Sequence, residues 1–257
     1  MNLLFRFLQY LKYQKKAKSK YYLHSPFVYQ FYLQVLEGEA EESLKRIVTL
    51  REKLRSNNSF IKVEDFGTGK SSSRKICNLE TNVAVKEKYG DLLYRLVKYF
   101  QPQSILEIGT SIGISSAYMA VANTKANIVS LEGSESLIEV AKQNHVELGT
   151  NNCRFVCGDF DRTLGVALKE NSSVDLILFD GNHTKEATLR YFYQCLPFAN
   201  EYSVFVFDDI YWSREMRQAW DEIKLYQQIT LTLDVYQFGI CFFRKEKLAK
   251  ENFMLRY

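Results

Sequence analysis

Apolar positions change period near residue 100. Before it they recur at helical spacing over Asn2–Tyr13, Pro26–Leu36, Glu41–Leu54 and Gly90–Phe100, with breaks at "SNNSF" and "GTGKSSS". After it, short apolar runs alternate with amphipathic ones. "SILEIG" (104–109), "NIVSLEG" (127–133), "CRFVCGD" (153–159), "VDLILFDG" (174–181) and "YSVFVFDD" (202–209) read as buried strands. Helical patterns near 113–123, 135–147, 161–169, 184–197 and 213–226 separate them. Five strand–helix units in sequence predict a parallel sheet covered on both faces. The tail "ITLTLDVYQFGICFFRK" holds two more strand-like runs with almost nothing between them, a link that only antiparallel neighbours allow. The expected fold is therefore α/β: a Rossmann-like, open, mostly parallel seven-stranded sheet ending in an antiparallel β-hairpin, with a helical N-terminal extension. The extension is expected over 1–85 and the sheet domain over 86–257.

Two glycine-bearing stretches compete as ligand loops. "LEIGTSIGISSA" (106–117) has the context such a loop needs: strand, tight turn, then a helix of small residues. Gly109 and Gly113 permit close backbone approach, and the amides opening the helix face the ligand. The following strand ends in Glu132, placed to take two hydroxyls of an unphosphorylated ribose. "EDFGTGKSSSRK" (64–75) carries Gly-Lys-Ser, yet Glu64 stands where a phosphate loop needs its first glycine. That stretch is expected to be a surface turn, or a basic lid over the site made by the second loop.

Composition narrows the setting. The 257 residues suffice for one large domain, and the five cysteines are an odd number lying mostly in apolar runs. Free thiols in a reducing compartment fit this better than a disulfide framework, and Cys153 and Cys157 read as core residues of one strand. No apolar run is long enough to span a bilayer, so a cytoplasmic location is expected. Charge is uneven: Arg6, Lys12, Lys15, Lys16, Lys18 and Lys20 all precede the first acid, Glu37. With Leu3, Leu4, Phe7, Leu8 and Leu11 at helical spacing, this is a basic amphipathic helix. The expectation adopted is a helix docked on its own domain with lysines in solvent; the alternative is a foot on an anionic membrane or on nucleic acid.

The fourth strand of the alternating region ends in Asp180 and the fifth in Asp208 and Asp209, which adjacent strands would bring to one sheet edge. Three carboxylates in one cleft repel unless protonated or shared with a cation, and a hard divalent ion such as Mg²⁺ suits them. Helix capping is the competing explanation of the acid pair.

"LEIGTSIG", followed by "LEGSES", "CGDF", "LFDG" and the terminal hairpin, resembles the class I S-adenosylmethionine-dependent methyltransferases over residues 86–245. The resemblance implies that Glu107, Gly109, Thr110, Ser111 and Gly113 line the methionine part of S-adenosylmethionine. Ser115 would reach its carboxylate, Glu132 and Gly133 its ribose, Asp159 and Phe160 its adenine, with Asp180 nearby. Ser111 stands where many relatives have a middle glycine, a departure shared by catechol-type O-methyltransferases. Asp180-Gly-Asn-His183 further resembles metal-dependent O-methyltransferases of the catechol and antibiotic-sugar types. That likeness implies metal ligation by Asp180, Asp208 and Asp209, with His183 as the base that deprotonates a metal-bound hydroxyl. The expected function is Mg²⁺-dependent methyl transfer to a hydroxyl of a small molecule. Alternatives are a metal-free methyltransferase acting on RNA or protein, and a cofactor-binding protein without catalysis. No nucleic-acid module is recognisable, and oligomeric state is left open.

Overall fold

The computed structural model describes residues 3–39, 41–65, 70–170, 173–246 and 249–257. The strands of its central sheet number eight and run mostly parallel. The chain divides into two compact units, residues 34–167 and residues 1–33 with 168–257.

In the unit of residues 34–167, β3 (Ser104–Ile108), β4 (Asn127–Glu132) and β5 (Cys153–Cys157) pair in parallel in that order. Helices α6 (Ile114–Ala122) and α7 (Glu135–Leu148) make the crossovers. Seven of the nine residues of α6 are buried, which explains its run of small side chains: an all-round apolar helix must pack on every side. Gly113 before it has φ +77°, and a Cβ there would meet that of Ala141 at 2.8 Å, so packing and backbone both require glycine. Helices α3 (Lys45–Arg55), α4 (Ile76–Asn82) and α5 (Glu87–Phe100) pack in the same unit. There Arg51, almost fully buried, pairs with Glu80 at 2.9 Å.

The stretch expected as a turn or lid is flanked by strands. β1 (Phe60–Asp65) and β2 (Lys70–Lys75) form a two-stranded antiparallel ribbon. Residues 66–69, the centre of the Gly-Thr-Gly-Lys motif, lie outside the described residues. The strands were not visible as apolar alternation because "KSSSRK" has none. β5 carries Cys153 half-buried but Cys157 exposed, so the expectation of two core cysteines holds only in part.

In the other unit, β6 (Leu176–Phe179) and β7 (Val204–Phe207) are parallel, and β9 (Gly239–Phe242) pairs antiparallel with both β7 and β8 (Leu231–Asp234). An eighth strand, β10 (Glu251–Met254), runs parallel to β8. This corrects the expected count of seven: four residues with a half-exposed, partly polar pattern carry no strand signal of their own. Phe179 and Phe207 stack at 4.3 Å between centroids, with Phe192, Phe205 and Trp220 around them. Removing one such buried ring costs about 3–5 kcal/mol. Helices α9 (Lys185–Cys195) and α10 (Arg214–Ile223) start at side-chain caps, Thr184 Oγ1 accepting from the Ala187 amide and Ser213 Oγ from the Met216 amide. These caps fix where the chain leaves β6 and β7.

Candidate functional site

Two constellations stand at the carboxyl ends of parallel strands, one in each unit. The first follows β3. Gly109 and Thr110 both donate their amides to the Leu131 carbonyl, at 3.0 and 3.2 Å, so the turn folds back onto the end of β4. Its φ values are positive at Gly109, Ser111 and Gly113. Ser111, at φ 49°, is an uncommon residue for the left-handed region. Its amide donates to the Glu132 carboxylate at 2.8 Å, and the Ser134 amide donates to the other oxygen at 3.0 Å. Burial raises the pKa of Glu132, while these amides oppose the rise.

Glu107 is fully buried under the turn, accepting from Ser115 Oγ at 2.5 Å and from Ser130 Oγ. Burial pushes its carboxyl up to about 7, against the two serine hydroxyls. Ser115 thus donates inward, and Thr110 Oγ1 lies 2.5 Å from Ser130 Oγ. Gly133, Asp159 and Phe160 are half-buried. Asp159 opens α8 (Phe160–Lys169), its carboxylate accepting from the Asp161 amide at 2.9 Å. Gly158 before it donates its amide to the Glu132 carbonyl at 2.9 Å, which sets the ends of β4 and β5 side by side.

This constellation also touches the ribbon. The Glu64 amide on β1 donates to Ser134 Oγ at 3.2 Å, and Ser136 Oγ donates to the Lys62 carbonyl. The strand entering the 64–75 stretch is therefore anchored to the loop that follows Glu132.

The second constellation follows β6 and β7. The Asp208 amide donates to the Phe179 carbonyl at 2.9 Å, so Asp180 and Asp208 leave neighbouring strands together. Their carboxyl groups share a hydrogen bond, and His183 Nε2 lies 3.4 Å from Asp180 Oδ1. Asp208 is buried, and its pKa stands well above the usual carboxylate range. Burial is the main cause, and the charges of Asp209 and Asp180 add to it. Two carboxyl groups in contact require a proton or a cation between them. The backbone here is strained: Asn182, His183 and Asp209 have φ of 60°, 25° and 54°. Such outliers concentrate at functional sites, where surrounding structure holds them in place. No sequence signal marked Asn182 or the left-handed turn at Asp209, because Asn and Asp tolerate that region without a fixed motif.

The donor set is all oxygen and fits a hard cation in type. Among the described residues, however, no three such side chains already stand as a metal cage. Tyr211, just after the acid pair, is a buried strut: it donates to Asp234 at 2.6 Å and stacks on Tyr236 at 5.3 Å. Trp212 is part-exposed, with the Arg6 guanidinium over its ring at 4.4 Å.

Residues 106–210 match a family model described as a methyltransferase domain. They run from the middle of β3 to just past Asp209, and so contain both constellations. Over this stretch, about two-fifths of its length, the chain is similar to a methyltransferase domain. Its fold is shared with solved methyltransferases. It is similar to the O-methyltransferase TomG of Streptomyces achromogenes, involved in tomaymycin synthesis and solved with S-adenosylmethionine, at TM-score 0.57 and 19% identity; the match covers 84% of this chain and 95% of that one. An O-methyltransferase of Bacillus cereus bound to S-adenosylhomocysteine matches at TM-score 0.58 and 20% identity, over 83% and 95%. A Podospora anserina methyltransferase, also bound to S-adenosylhomocysteine, matches at TM-score 0.61 and 16% identity, over 87% and 97%. A curated protein-L-isoaspartate O-methyltransferase of Thermotoga maritima is 45% identical over 56 residues, or 21% of this chain; the match spans only 18% of that relative's length. Among the described residues no helix is long and apolar enough to cross a membrane.

Proposed function

We propose that this protein is an S-adenosylmethionine-dependent O-methyltransferase acting on a hydroxyl of a small molecule, with a divalent cation, Mg²⁺ by donor type, at Asp180, Asp208 and Asp209. The observation that carries the reading is the meeting of Asp180, Asp208 and His183 at the ends of two parallel strands. A structural role would bury one capping acid, not two carboxyl groups in contact beside an imidazole.

Glu132, fixed by the Ser111 and Ser134 amides, presents oxygens for the two ribose hydroxyls, and Gly133 leaves that approach open. The turn through Gly109, Thr110, Ser111 and Gly113 lines the methionine moiety, above a base formed by Glu107 and Ser115. Asp159 and Phe160 stand where adenine would lie. S-adenosylmethionine held by these residues would supply an electrophilic sulfonium methyl to the acceptor hydroxyl. A divalent cation, if held by Asp180, Asp208 and Asp209, would supply charge that makes a hydroxyl more acidic. His183 takes the hydroxyl proton at Nε2, and Asp180, 3.4 Å away, orients the ring. Much of the rate enhancement then comes from holding nucleophile and methyl in line.

A second reading is supported by the same Asp180–Asp208 contact, if a proton rather than a cation is shared there: a metal-free methyltransferase acting on protein or RNA. The stretch resembling an isoaspartate methyltransferase agrees with a protein acceptor. Methyl transfer to a panel of catechols and hydroxylated sugars, with and without EDTA, separates the two. Activity on small hydroxyl compounds that EDTA abolishes and Mg²⁺ restores supports the first. Full activity in EDTA overturns it.

A further inference from the structure

The basic helix near the start of the sequence docks with the wrong face, if its apolar residues were meant for the protein core. Helix α1 (Leu3–Lys16) buries Tyr13, whose hydroxyl donates to the Leu255 carbonyl and whose ring contacts Tyr236 at 5.2 Å. On the same side Arg6 covers Trp212 and the Arg6 carbonyl accepts from Tyr236 Oη at 3.4 Å. Leu3, Leu4, Phe7, Leu8 and Leu11 project from the opposite side, 46–68% exposed. At 3.6 residues per turn these five form one continuous stripe. The helix is docked on its own domain with lysines in solvent, but it is held by Tyr13 and Arg6, and its hydrocarbon faces water.

We infer that this face of α1 binds an anionic lipid surface. An uncovered stripe of leucine and phenylalanine is costly in water, at about 25 cal/mol per Å². What covers it is indicated by charge. Lys12, Lys15 and Lys16 are exposed around the stripe, and Lys18 follows them. Six cations and no acid occur in the first 36 residues. Tyr21 and Tyr22, also exposed, add aromatic side chains of the kind that settle at a membrane interface. A second copy of the chain would set these cations against an identical set, because a two-fold interface places the same patch on both sides. Nucleic acid would satisfy the lysines and leave the leucines wet. A bilayer surface with anionic headgroups satisfies both, acyl chains taking the stripe and headgroups the lysines. The length of α1, 14 residues, suits a helix lying in the interface and not crossing it.

Flotation of the full chain with lipid vesicles tests this without any assay of turnover. The protein is expected to rise with vesicles containing about a quarter phosphatidylglycerol in phosphatidylcholine, and to stay behind with phosphatidylcholine alone. Lys15→Gln with Lys16→Gln should weaken partitioning about thirty-fold at low salt. Leu4→Glu with Phe7→Glu should weaken it at least as much. All four positions are solvent-exposed, so an unchanged thermal midpoint identifies properly folded variants. Failure to bind phosphatidylglycerol vesicles overturns the inference, and so does binding that neither pair of substitutions alters. Self-association that Phe7→Glu abolishes, without vesicle binding, assigns the stripe to a second copy and also overturns it.

Discussion

The Ser111 amide donates to the Glu132 carboxylate at 2.8 Å, so the acid ending β4 holds the turn that ends β3 in its left-handed form. Glu132 thus has two duties, one to the fold and one to the proposed ribose site. Replacement by Gln loses the charge that strengthens hydroxyl contacts and leaves one acceptor where Glu132 serves two backbone amides. Glu132→Gln is expected to weaken S-adenosylhomocysteine binding by about a hundred-fold, the effect of losing about 3 kcal/mol of charge-assisted hydrogen bonding. Isothermal titration reads this directly, and an unchanged affinity would remove Glu132 from the ribose site. Glu132→Ala should in addition cost about 1–3 kcal/mol of stability by orphaning the Ser111 and Ser134 amides.

Asp208 tests the carboxylate site. Asp208→Asn keeps its shape and removes one charge from a buried, mutually repelling group, so the melting temperature should hold or rise. Turnover on a small hydroxyl acceptor should fall by about a thousand-fold, with S-adenosylhomocysteine affinity within about twofold of the parent. Retained turnover would sink the divalent-cation reading.

The strained turn at Asp209 predicts a trade. Glycine adopts φ 54° without penalty, so Asp209→Gly should gain up to about 1 kcal/mol of stability in urea unfolding while losing activity. A loss in both would show that the turn is not under strain.

Two buried groups in the unit of residues 34–167 give opposite pH signatures. His145, between Ser116 Oγ at 3.0 Å and Thr150 Oγ1 at 2.8 Å, is held neutral by burial, its pKa lowered from 6.5 to about 4. Its contribution is present above pH 6.5 and is lost as pH falls through 4. Glu107, raised from 4.5 to about 7, contributes below pH 4.5 and loses that contribution as pH rises through 7. Each effect is about 3 kcal/mol in full. The stability lost on His145→Gln should therefore grow from pH 4 to 6.5, whereas that lost on Glu107→Gln should shrink from pH 4.5 to 7. Differences that stay constant with pH in both variants would contradict the assignments.

Strands β3 to β9 were legible because each is either an apolar run ending in an acid or half of an unmistakable hairpin. Glu132, Asp180 and Asp208 were legible for the same reason: an acid closing a buried strand has only the sheet edge to occupy. Strand β10 and the β1–β2 ribbon were not, since edge and ribbon strands of "ENFM" and "KSSSRK" type have one wet face or two and need no apolar pattern. The direction of α1 was hidden for another reason. Periodicity determines which residues share a face, but Tyr13, Tyr236 and Trp212 determine which face is inward, and those contacts join residues far apart in the chain. Likewise, spacing placed the three aspartates together without showing that Asp180 and Asp208 would turn toward each other.

The tether between the ribbon and the loop after Glu132 makes the molecule self-reporting. Ser134 gives its amide to Glu132 and accepts the Glu64 amide on its hydroxyl, so a change in how Glu132 is engaged reaches β1 through one residue. The hydrogen-exchange rate at Glu64 is then expected to follow ligand occupancy, readable on the native chain without a substrate or a turnover assay.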